Sequence, residues 1–122
     1  MVKIITRPQS VEFQRLIEKS TALQETSKAV DTDWFAANIS ATNSPANHRL
    51  YIRLATSSVV NLQMDDGTNT DLEMNLNNGN SLTANSLYAF DIIVPAGYSY
   101  NLQHKTGTQN INAWIVEGSV LS

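Results

Sequence analysis

The chain has no cysteine, only three prolines and five glycines in 122 residues, and a charged fraction of 16%. The missing thiols exclude disulfide frameworks, thiolate nucleophiles and Cys-ligated zinc. The charge deficit is filled by Asn, Thr, Ser and Gln. With an apolar fraction of 42%, this is the composition of an uncharged polar surface over strands and turns. No apolar run is long enough to span a bilayer, and Met1-Val2-Lys3-Ile4-Ile5-Thr6-Arg7-Pro8 lacks the apolar stretch of a signal peptide. The expectation is a single soluble domain with no membrane contact, made without classical secretion.

The few charges are unevenly placed. Up to Arg53, seven basic residues stand against five acidic ones, a net +2. From Leu54 onward Lys105 alone stands against six acidic residues, a net −5. No basic patch is dense enough to neutralise a phosphate backbone, so nucleic acid is not an expected partner.

The first nineteen residues differ from the rest. Lys3–Thr6 reads as a short strand broken by Pro8. Ser10 to Lys19 reads either as a short helix, with Phe13, Leu16 and Ile17 on one face, or as a strand in which Val11, Phe13, Arg15 and Ile17 alternate. Beyond Ser20 the pattern is β. Thr21–Gln24 and Asp33–Ile39 are candidate strands, and Asn43-Ser44-Pro45-Ala46-Asn47 is a loop. Arg49–Leu54 alternates with Leu50, Ile52 and Leu54 inward. Val60, Leu62 and Met64 do the same, with Asn61 and Gln63 outward. Asp65-Asp66-Gly67-Thr68-Asn69 is a hairpin signal, returning through Leu72, Met74 and Leu76, so Leu62 and Met74 are expected in the core. Asn77-Asn78-Gly79-Asn80 turns the chain again. Tyr88–Val94, Tyr98–Leu102 and Asn110–Glu117 supply further strands, the first ended by Pro95. Short strands with turns about every ten residues predict an all-β, jelly-roll-like antiparallel sandwich of about eight strands. It would occupy residues 20–122, with residues 1–19 as an N-terminal arm.

None of the residues that could carry chemistry converge in the sequence. His48 and His104 are far apart and lack an obvious orienting acid, which argues for one solvated and one packed histidine, not a metal pair. The Asp65–Asp71 cluster does not follow the spacing of a calcium loop, and a plain turn accounts for Asp66-Gly67. Asp31 with Asp33, and Asp71 with Glu73, read as the wet side of strands. Tyr51, Tyr98, Tyr100, Trp34 and Trp114 could stack on sugars, but most have core parity. The expectation is a non-enzyme with no cofactor, no metal and no catalytic residue.

From Leu50 to Glu117 the chain runs through Val-Val-Asn-Leu-Gln-Met-Asp-Asp-Gly, Leu-Asn-Asn-Gly-Asn-Ser-Leu and Leu-Tyr-Ala-Phe-Asp-Ile. It closes with Val-Pro-Ala-Gly-Tyr-Ser-Tyr-Asn-Leu-Gln and Asn-Ala-Trp-Ile-Val-Glu-Gly. In strand-and-turn style this half of the chain resembles small β-sandwich virion proteins of tailed phages, in particular capsid decoration (cement, or auxiliary head) proteins. The resemblance implies a protein on the capsid exterior, assembled in the host cytoplasm. It would commonly be a homotrimer that staples neighbouring subunits of the major capsid protein. The arm is then the expected partner contact, through Lys3, Ile4, Ile5, Arg7, Phe13, Arg15, Leu16 and Ile17. The alternative is a receptor-binding or carbohydrate-binding sandwich.

Overall fold

The computed structural model describes residues 17–41, 45–69 and 72–118. Eight strands follow in chain order: β1 (Ile17–Lys28), β2 (Ile39–Ser40), β3 (Ala46–Leu54), β4 (Val60–Asp65), β5 (Leu72–Asn75), β6 (Tyr88–Val94), β7 (Ser99–His104) and β8 (Gln109–Gly118). They form two four-stranded antiparallel sheets, ordered β1-β8-β3-β6 and β2-β7-β4-β5. Consecutive strands alternate between the sheets at both ends, which is the double Greek-key order of a jelly roll. Among the described residues no helix is long and apolar enough to cross a membrane.

The core follows from period-2 alternation. Leu50, Ile52 and Leu54 on β3 and Ile111, Ala113 and Ile115 on β8 face Val60 and Leu62 on β4 and Tyr100 and Leu102 on β7. The segment between β5 and β6 closes one end. Leu82 is fully buried there, bridged to Ser58 by paired backbone bonds (2.8 and 3.3 Å), and Asn85 N–H donates to Leu54 O at 2.7 Å. The turn leading into that segment needs left-handed backbone at Asn77 (φ 55°), Asn78 (φ 55°) and Gly79 (φ 78°). Asn and Gly are the residues that tolerate this conformation.

Four sequence expectations change here. Asp33–Asn38 is not a strand, although Trp34, Phe35 and Ile39 made it look like one. It is an irregular run laid along β7, and only Ile39 and Ser40 pair, with Tyr100 and Ser99. Trp34 N–H donates to Leu102 O at 2.9 Å, while Asn101 accepts from Phe35 N–H and donates to Phe35 O. A side-chain amide thus does the work of a ladder. Second, Asn61 and Gln63 do face away from the core, but they are buried because Glu73 lies over them and accepts from both. Third, Met74 pairs with Leu62 as expected yet is 49% exposed. β5 is an edge strand, and all four of its residues are exposed. Fourth, both histidines are buried, whereas one was expected in solvent. Ile17–Lys19 begins β1, and the rest of the arm reading, residues 1–16, lies outside the described residues.

Candidate interaction surface

The two flanks of the sandwich are built differently. On one flank, residues 29–40 run alongside β7 and plug the gap between the sheets with Trp34, 2% exposed. Trp34 Nε1–H donates to His104 Nδ1 at 3.1 Å, and His104 Nε2 lies 2.8 Å from Gly107 O. Indole nitrogen only donates and a carbonyl only accepts, so His104 is the neutral Nε2–H tautomer. Burial pushes its pKa below the ordinary histidine value, against smaller opposing contributions from its backbone hydrogen bonds.

The other flank is open. There the outer strands β5 and β6 border a groove of about 450 Å³ lined by Met64, Leu72, Met74, Ile93, Pro95 and Tyr98. Leu72, Met74 and Ile93 are 42%, 49% and 62% exposed, more than apolar side chains of a closed sandwich edge need to be. Glu73 at its rim is tied to Lys105 Nζ at 2.9 Å, and Lys105 also reaches Asp31 at 2.8 Å. The Lys105 hydrogen bond, followed by that of Asn61, holds the Glu73 carboxyl below its usual pKa; Asp31, then Glu73, raises that of Lys105. Among the described residues no strand pairs with the outward edges of β5 or β6.

The second histidine sits inside the sandwich. His48 Nδ1 lies 2.6 Å from the Tyr100 hydroxyl and Nε2 lies 2.8 Å from Glu117 Oε1, all three residues at most 1% exposed. The orienting acid that the sequence did not reveal is therefore Glu117, directly across the β3–β8 ladder. Hydroxyl, imidazole and carboxylate stand in the order of a nucleophilic triad, but here the hydroxyl is phenolic. Burial, and secondarily the Glu117 charge, push it well above the usual tyrosine pKa. A nucleophile needs the opposite shift and an approach for substrate. What this trio does is tie the two sheets together, since His48 and Glu117 belong to one and Tyr100 to the other.

The remaining candidates disperse. Asp65 accepts from Gly67 N–H at 2.7 Å, and Asp66 accepts from Thr68 and Asn69 N–H at 2.9 and 2.6 Å. These turn bonds, that from Asn69 foremost, lower the Asp66 pKa. Asp31 and Asp33 are held by Lys105 and Gln103. Trp34 and Tyr100 are core residues, Tyr98 lines the groove, and Tyr51 stacks on Trp114 across the outer face of the first sheet (centroids 5.0 Å apart). Of the expected contact residues, Lys3, Ile4, Ile5, Arg7, Phe13, Arg15 and Leu16 lie outside the described residues, and Ile17 opens β1. The groove itself was missed. One signal was present: in Ile92-Ile93-Val94 the alternation breaks, placing Ile93 on the outward parity.

No family model matches the chain, and no curated protein matches it. Two solved structures overlap it at 13% identity. One is the structure of infectious bursal disease virus, Gx strain, with a TM-score of 0.48 over 87% of this chain. This chain spans about a third (32%) of that one's length. The other is a pentameric capsid protein from metagenomic phage sequences, with a TM-score of 0.36, covering 85% of this chain and 71% of that one. At this degree of overlap neither neighbour says what this chain does.

Proposed function

We propose that the chain is a structural virion protein, a capsid decoration or cement protein. In this reading it binds the outside of a phage head, self-associates as a trimer and staples neighbouring major capsid subunits. Residues 1–19, with Lys3, Ile4, Ile5, Arg7, Phe13, Arg15, Leu16 and Ile17, form the contact segment. Assembly takes place in the host cytoplasm, and no catalytic residue, metal or cofactor is assigned.

A fold alone does not specify function. The observation that carries the reading is the open flank. A jelly roll sealed on one side by Trp34 leaves Leu72, Met74 and Ile93 in water on the other, beside two strand edges that no strand among the described residues pairs. Exposed edges with apolar rims associate unless something covers them, and a protein that works by assembly uses that tendency. The test is sedimentation of the full chain from micromolar to millimolar concentration, together with co-pelleting on phage shells that lack it. Self-association and shell binding are expected; a strict monomer that ignores shells defeats the proposal.

The Tyr51–Trp114 stack, half-buried between Arg49 and Arg53, favours a second reading as a glycan-binding or receptor-binding module. A glycan array separates the two, because a cement protein binds shells and no sugar.

A further inference from the structure

We infer that the groove between β5 and β6 is the seat of the N-terminal segment, residues 1–16, of a second copy of this chain. This rests on the assembly reading above and names the site it would use.

Three observations select that occupant. The first is where the segment enters the fold. Ile17 opens β1, and β1 and β6 are the opposite edges of one sheet, three strand spacings apart, or about 14 Å. The segment therefore joins the domain on the flank away from the groove. Sixteen residues reach about 50 Å when extended, enough for a neighbour's groove as well as for their own, and the cross-linking pattern below separates the two.

The second is charge. Residues 1–16 carry Lys3, Arg7 and Arg15 against Glu12, a net +2, whereas residues 17–122 carry five basic and ten acidic residues, a net −5. Asp65 and Asp66 follow Met64, a groove residue, in the chain, and their carboxylates accept from turn N–H groups. Opposite net charge on segment and body guides encounter and disfavours a pairing of two acidic bodies.

The third is chemistry. Val2, Ile4 and Ile5, and then Val11, Phe13 and Leu16, supply apolar side chains of the kind that the Leu72–Met74–Ile93 lining lacks as neighbours. A strand laid on the outer edge of β5 or β6 would gain main-chain hydrogen bonds as well. β5 offers four residues for this and β6 seven.

The absence of native cysteine makes the test clean. Chains carrying Ile5→Cys or Phe13→Cys are mixed with chains carrying Met74→Cys or Ile93→Cys and treated with a short bismaleimide. All four are full-length, and the groove positions are exposed. A covalent heterodimer between an arm variant and a groove variant is expected, at least tenfold above the same mixture in which the groove chain also carries Asp at the other position (Ile93→Asp with Met74→Cys, or Met74→Asp with Ile93→Cys). Linking only within one chain, seen when Ile5→Cys and Met74→Cys are placed together and run as monomer, would overturn the exchange. Linking of Met74→Cys to itself would show a second copy's groove as the occupant and overturn it too. A chain that assembles by sedimentation but links at none of these positions refutes the groove while leaving the assembly reading intact. A monomer at every concentration refutes both.

Discussion

The flank that carries Trp34 and the flank that carries Met74 belong to the same two sheets and meet opposite fates. Along β7, residues 29–40 supply backbone donors to His104 O and Leu102 O and drive a tryptophan between the sheets. Beside β5 nothing comparable is laid down among the described residues, and Leu72, Met74 and Ile93 stay exposed. An edge strand must be covered, shortened or charged to remain inert. Among the described residues, this protein covers one edge from within its own chain and leaves the other short and apolar. On the reading proposed above, the first arrangement contributes to folding and the second to association, so changes to each should move different measurements.

The sharpest way to break the contrast is Trp34→Ala. Removing a buried indole also strips His104 Nδ1 of its donor, and the loss should be about 3–5 kcal/mol in urea unfolding, with a lowered midpoint. An unchanged midpoint would mean that the sealed flank is not part of the cooperative core. Acid should act on the same flank. The folded pKa of His104 is depressed below its ordinary value of 6.5, so the unfolded chain takes up a proton that the folded one refuses. The stabilisation is complete above about pH 6.5 and is lost as pH falls through the lower folded value. A melting series from pH 8 to pH 5 should therefore fall, more steeply than in His104→Asn, whose side chain does not titrate. The smallest expected effect is Lys105→Ala. Its partners Asp31 and Glu73 are well exposed, so the melting temperature should move by no more than a few degrees, and less in high salt. A large drop there would show that Lys105, which lies over Asn61 and Gln63 through Glu73, is part of the fold's closure after all.

The parts of this molecule that were legible in the sequence are those in which a residue's neighbours are set by its own strand. Leu50, Ile52 and Leu54 alternate in the text and alternate in space, because successive side chains on any strand point to opposite faces. Asp66-Gly67 announces a turn through its local chemistry, and the turn is there, with Gly67 at φ 94°. From such signals an eight-stranded jelly roll followed, and the strand order agrees. The candidate site was far less legible, because Leu72 and Met74 carry the parity of core residues and yet stay exposed. Asp33–Asn38 has the apolar content of a strand, but the Asn101 side chain holds it in an irregular course.

What the sequence by itself determined is therefore the class of fold, the inward face of most strands, and the absence of thiol chemistry. Only the tertiary structure decided which alternating residues would be covered. Leu62 and Met74 have the same parity and sit directly opposite each other, yet one is buried and one is half in water. Likewise His48 met Glu117 and Tyr100 from 69 and 52 positions away. Parity is a property of the strand, whereas coverage depends on how far the opposing sheet extends and on which distant side chains it carries. That information resides in the packing of one sheet on the other and in no short stretch of the chain.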